Sequence, residues 1–159
     1  MPKITPFLWF DTEAEEAARF YVSVFKNSKI TAVNRLSDAA PGTAGKAMTV
    51  ALEIDGQKLV ALNGGPHFRF TEAISFVVDC DDQAEVDYFW DKLSEGGGEP
   101  GRCGWLKDRF GLSWQIVPKA LSGLIGGADR AGAKRATEAM LKMAKLDIAV
   151  LEKAYADPG

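Results

Sequence analysis

One histidine, His67, and two cysteines, Cys80 and Cys103, are all the imidazole and thiol ligands that 159 residues offer. The two cysteines lack the close spacing of a metal site, so both are expected to be reduced thiols, with Cys103, in the exposed-looking run GEPGRCGW, the better candidate for reactivity. No charge of one sign predominates: 19 basic and 22 acidic residues are scattered through the chain, for a net charge of -3. That balance gives no footprint for a polyanion and argues against a nucleic-acid partner. No window approaches the ~18 consecutive apolar residues of a membrane span. The start, MPKITPFLWF, has one lysine and a short apolar run without a small-residue cleavage site, so a cytoplasmic location is expected.

What the sequence does hold is a core and a repeat. With 47% hydrophobic residues it can build one compact domain, or two small modules sharing a core. ITPFLWF reads as a β-strand, followed by Thr12 with Glu15 three places on, a capping box ahead of the helical pattern EAEEAARFYVSVF. AISFVVD is again strand-like, followed by Asp82 with Glu85 three places on and the helical pattern QAEVDYFWDKLSE. After the first helix come SKITAVNRL, then MTVALEI and KLVALN around Asp55-Gly56, a strong hairpin signal. After the second come GEPGRC, then CGWLKD and LSWQIVP around the looser turn Arg109-Phe110-Gly111. Each half therefore reads strand, helix and three strands, and the repeat fixes the architecture.

Alternation separates two faces. Val50, Leu52 and Ile54 oppose Thr49, Ala51 and Glu53; Ile74, Phe76 and Val78 oppose Ala73, Ser75 and Val77; Leu112, Trp114 and Ile116 oppose Ser113, Gln115 and Val117. The greasy faces require cover from the two helices, and the smaller, more polar faces suit the lining of a concave cleft. Beyond them, residues 119–159 form a helical extension that breaks at Gly126-Gly127 and then reads as one long helix from about Asp129 to Tyr155. Its apolar stripe is Met140, Met143 or Ala144, Ile148, Leu151 and Tyr155. It either packs on its own domain or clasps a second subunit.

The segments ITPFLWFDTEAEEAARFY, ALNGGPHFRFTEAISFVVDC, CGWLKDRFGLSWQIVP and AMLKMAKLDIAVLEKA resemble the vicinal oxygen chelate superfamily, the glyoxalase and bleomycin-resistance group, and within it the PhnB-like branch labelled 3-demethylubiquinone 3-methyltransferase. The resemblance implies an α+β fold in which two βαβββ modules, 1–66 and 67–118, form an open sheet around a cleft, with the extension at 119–159, and it implies a homodimer. Metal-dependent relatives place four ligands at positions that fall here on or beside Thr5, Ala61 (Val60 if the register is off by one), Ala73 and Gln115. Of these only Gln115 offers a plausible donor, so no metal is expected. His67 lies in the connection before the second module, and a replacement site from His67, Glu53 and Glu72 is the weaker alternative.

The methyltransferase label finds no support in a glycine-rich strand-to-helix loop. The clusters Asn63-Gly64-Gly65-Pro66, Gly96-Gly97-Gly98 and Gly126-Gly127 do not open a helix after a parallel strand, so no cofactor is expected. The ligand-binding candidates are Phe7, Trp9, Thr49, Glu53, Asn63, Phe68, Ser75, Trp105, Ser113 and Gln115: aromatics for stacking and a few polar groups for orientation. Burying Ser75, Ser113 and Gln115 without partners would be costly, which favours a bound small molecule. Asp108, before the second turn, reads as turn chemistry rather than catalysis. The sequence thus points to a metal-independent binding protein for a small, partly aromatic molecule. The alternative is an enzyme using the same cleft, such as a methyltransferase or lyase acting on a quinone-like or small aromatic substrate.

Overall fold

A computed structural model describes residues 2–35 and 47–157; Leu36, the last residue of the expected SKITAVNRL strand, lies outside them. The fold is mixed α+β, and the chain divides into two compact units, Met1–Phe70 and Thr71–Gly159.

The first unit runs β1 (Phe7–Phe10), α1 (Ala14–Val24), β2 (Lys29–Arg35), β3 (Ala47–Ile54) and β4 (Gln57–Asn63). Its four strands lie in the order β1-β4-β3-β2, with β1 parallel to β4 and the remaining pairs antiparallel. The second unit repeats the plan with β5 (Ser75–Cys80), α2 (Gln83–Ser94), β6 (Glu99–Pro100), β7 (Trp105–Lys107) and β8 (Ser113–Pro118), ordered β5-β8-β7-β6. The expected strand, helix and three strands are present in both halves, although GEPGRC shrinks to the two-residue β6.

Alternation along the strands decides what each sheet buries. In the first unit Leu8, Val50, Leu52, Leu59 and Ala61 are buried together with Ala17, Ala18, Tyr21 and Val24 of α1. The alanines let the helix lie close on the sheet. In the second, Trp114, Ile116 and Leu106 are buried together with Val86, Trp90 and Leu93 of α2. Each buried large apolar side chain contributes about 1.5–3 kcal/mol relative to exposure, so these faces hold each unit together and leave the opposite faces available.

The two helices start differently. At α2 half of the expected box forms: Asp82 Oδ1 accepts from the Glu85 amide at 2.9 Å, while Glu85 Oε1 accepts not from the Asp82 amide but from that of Asp81, at 3.4 Å. At α1 the Thr12–Glu15 box does not form. Glu13 is the first flanking residue and makes no side-chain cap. Glu15 instead meets Arg19 and Arg35, and the two guanidiniums hold its carboxyl below the usual range. The free amide of Ala14 donates to Asn63 Oδ1 at 2.8 Å, a cap supplied from the end of β4.

The extension is α3 (Ala120–Ile125), α4 (Arg130–Leu141) and α5 (Ile148–Ala156), so the single long helix expected from Asp129 to Tyr155 is in fact two. The stripe was legible, but the break was not, because 142–147 contains neither glycine nor proline. Tertiary partners take its backbone instead: the Cys103 and Gly104 amides donate to the carbonyls of Met143 and Ala144, both at 2.9 Å. Asp147 then caps α5, accepting from the Val150 amide at 3.2 Å. Leu121, Leu146 and Leu151 form a buried cluster joined by Val117, Met140 and Met143, so the extension packs on the second unit of its own chain.

Candidate functional site

In the first unit the face away from α1 carries rows set by strand register: Phe7, Val60 and Ala51 in one, Trp9, Leu62 and Thr49 in the next, and Glu53 opposite Lys58 and Lys29. Phe7 is 62% exposed and Phe68 65% exposed, a large apolar area for two residues. The Phe68 ring meets Trp9 edge-on at 4.8 Å. Trp9 is half-buried, and its indole N–H donates to the Gly65 carbonyl at 2.9 Å. Gly64 lies flat on the indole: a Cβ there would sit 2.3 Å from a ring carbon. In LNGGPHF, therefore, Gly64 admits Trp9, while Gly65 takes a left-handed φ of 91°. His67 is exposed. Thr49 Oγ1 accepts from the Asn34 side-chain amide at 3.0 Å. Asn63 does not join this face, because its side-chain carbonyl is engaged at the start of α1.

In the second unit the face away from α2 brings four of the expected residues together. Ser75, Ser113, Lys107 and Glu99 form one cross-strand row, and Val77, Gln115 and Trp105 the next. Gln115 Nε2 donates to Ser75 Oγ at 2.9 Å. Lys107 pairs with Glu72; the ion pair lowers the Glu72 carboxyl and raises the Lys107 ammonium from their ordinary values. Beneath them Ser113 is 1% exposed, and its hydroxyl has no hydrogen-bond partner. Ser113, Trp105, Lys107, Glu72 and Glu99 line a hollow of about 180 Å³. Buried polar groups are nearly always paired, and the Ser113 and Ser94 hydroxyls are exceptions among the described residues.

Asp108 belongs to the structure of the hairpin, as expected. It is 3% exposed, and its carboxylate accepts from the amides of Phe110 and Leu112 at 2.9 and 3.0 Å and from the Trp114 indole at 2.9 Å. Sequence reading did not foresee the Trp114 bond or the Lys107–Glu72 pair. No local pattern signals the second, because Glu72 lies in the turn before β5.

The metal positions implied by the fold can be judged from their chemistry. Ala61 is buried on the helix side, so Val60 is the residue on the open face. Thr5 and Ala73 are exposed outside the strands, and the Gln115 amide is engaged with Ser75. A hydroxyl, two hydrocarbon side chains and an amide do not fit a divalent transition ion. Among the described residues no three His, Cys, Asp or Glu side chains gather as a metal site. The β1–α1 turn, Asp11 to Glu13, and the β5–α2 turn, Asp81 to Asp82, contain no glycine, so neither offers the close backbone approach of the usual nucleotide-type cofactor site. Both cysteines are free thiols. Burial, with Glu85 and neighbouring aspartates, pushes Cys80 up to about 12. Among the described residues no helix is long and apolar enough to cross a membrane.

Comparison with known proteins places this geometry in context. The family model described as 3-demethylubiquinone-9 3-methyltransferase matches residues 2–117. The solved structure of the PhnB protein from Bacillus cereus is 33% identical, with a TM-score of 0.66 over 74% of this chain and 99% of that one. A glyoxalase-related enzyme from Fulvimarina pelagi is 13% identical, with a TM-score of 0.50 over 76% of this chain and 91% of that one. The fosfomycin resistance protein FosX from Mesorhizobium loti is 14% identical, with a TM-score of 0.50 over 74% of this chain and 92% of that one. At that identity the last two speak for the fold alone. Among curated proteins nothing matches the sequence.

Proposed function

The chain belongs to the 3-demethylubiquinone-9 3-methyltransferase family, a PhnB-like branch of the glyoxalase/bleomycin-resistance superfamily, and from that premise we propose that it binds a small, partly aromatic molecule without a metal, in the hollow on the open face of its second unit. The observation that carries this reading is the unpartnered Ser113 hydroxyl at the floor of the hollow. The half-buried Trp105 indole supplies stacking area, Ser113 a hydrogen bond, and the Lys107–Glu72 pair both signs of charge at the rim. A homodimer is part of the same reading, and light scattering tests it.

The description of the family model favours a second reading, methyl transfer to a hydroxylated quinone ring in the same hollow. Titrating the protein with small phenols, quinones and aromatic acids, with Trp105→Phe as the control, tests binding. Saturable binding that Ser113→Ala weakens about tenfold, equal to 1.4 kcal/mol, supports the first reading. Absence of binding across the set overturns it. Incubation with adenosylmethionine and a phenolic acceptor separates the two, since methylated product would establish an enzyme. A stoichiometric divalent ion in the purified protein, lost on mutating His67, would refute metal independence.

A further inference from the structure

The family match ends at residue 117, and 99% of the Bacillus cereus PhnB chain is accounted for by 74% of this one. The C-terminal extension therefore lies outside what the two chains share, and its segment AMLKMAKLDIAVLEKA does not carry the likeness expected from the sequence. Its α4–α5 connector is bound on two sides. On one side, the Met143 and Ala144 carbonyls accept from the amides of Cys103 and Gly104. This is the turn that delivers Trp105 into β7, and within it Cys103 is held in the left-handed region at φ 59°, while Gly104 takes φ 85° without steric cost. Leu146 closes over it so tightly that a Cβ on Gly104 would lie 3.1 Å from the leucine Cδ1 and 2.9 Å from the Ile116 carbonyl. On the other side, the Gln83 amide of α2 grips the same connector with both its ends: Nε2 donates to the Leu146 carbonyl at 3.0 Å and Oε1 accepts from the Ile148 amide at 2.8 Å. Lys145 adds an ion pair to Asp87 at 2.9 Å.

We propose that the extension is a positioning element of the ligand site: the α4–α5 connector, held by Gln83, fixes the Arg102–Gly104 turn and through it the orientation of the Trp105 indole over the hollow. This rests on the reading of that hollow as the ligand site. Ring stacking depends on orientation, so a wall residue held by a strap outside the shared family region gives this chain a means of tuning what the hollow accepts.

Full-length protein labelled with 5-fluorotryptophan tests it, with the Trp105 fluorine signal assigned by its loss in Trp105→Phe and catechol used as the ring probe. Leu146→Ala and Gln83→Ala loosen the connector, and Gln83→Ala decides the matter should Leu146→Ala fail to fold. Leu52→Ala, in the core of the first unit, is the stability control. The expected result is a shifted or broadened Trp105 signal in the connector variants, with catechol binding about tenfold weaker, and neither effect in Leu52→Ala. An unchanged Trp105 signal in the connector variants, or the same change in Leu52→Ala, overturns the proposal. If the Trp105 signal of the unmutated protein ignores catechol and the other rings, the ligand-site reading fails instead, while the signal of the variants still judges the positioning.

Discussion

The two modules share one plan and secure it by different means. The first makes its hairpin with backbone conformation: Asp55 and Gly56 both adopt positive φ, 47° and 82°, the geometry of a two-residue turn that needs no side chain. The second makes its longer hairpin around a buried carboxylate, Asp108, which gathers two amides and an indole. At the helices the contrast is reversed, and it is the first module that relies on a side chain distant in sequence. α2 is capped by its neighbour Asp82, α1 by the distant Asn63. A repeated pattern in sequence thus specifies the repeated topology, while the polar groups that complete each copy are chosen separately.

The sharpest way to break this comparison is at the turns. Asp108→Ala leaves a buried indole N–H and two amides without acceptors and should cost roughly 4 kcal/mol in urea unfolding, whereas Asp55→Asn, which tolerates the same φ, should change stability by less than about 0.5 kcal/mol. Equal losses would mean that the turns are not built differently. The caps come next: Asn63→Ala and Asp82→Ala should each cost about 1 kcal/mol, and hydrogen exchange should quicken at the Ala14 amide in the first variant and at Glu85 in the second. Smaller still is the effect on the open face. Ser75→Ala removes the partner of Gln115 and should cost about 0.5–1 kcal/mol, while Ser113→Ala, losing a hydroxyl with no partner, should be neutral or slightly stabilising. At high pH the modules should part again, since only the second contains cysteine. With Cys80 raised from 9.0 to about 12, the unfolded chain gives up its thiol proton first. The contribution is complete below pH 9 and is lost as pH rises toward 12, and amides of the second module should lose protection first.

Strand alternation made the topology and the two faces legible, because period-two patterning is a local property of the chain. It placed Ser75, Ser113 and Gln115 on the smaller, more polar faces, and they do share one face, with Trp105 beside Gln115. It failed where a polar atom had a choice of partners. Thr12 and Glu15 have the spacing of a capping box, yet the amide went to Asn63 and the carboxylate to two arginines. The register-dependent choice between Ala61 and Val60 likewise needed the pairing with β1. In the extension, a helical stripe continued through 142–147, but backbone bonds to Cys103 and Gly104 were worth more than the missing helical turn.

The Ala14–Asn63 bond has a further consequence, in time rather than in space. It joins residues 49 apart, so the first turn of α1 is completed only after the chain has synthesised β4 and laid it beside β1. Asp82 finds the Glu85 amide three residues away, a closure that needs no other strand. Local contacts form in less time than distant ones, so α2 can be sealed at its start while the beginning of α1 still awaits its sheet. One polar residue thus ties the start of each helix, to a distant strand in one copy and to its own first turn in the other, and two modules of the same shape need not fold by the same route.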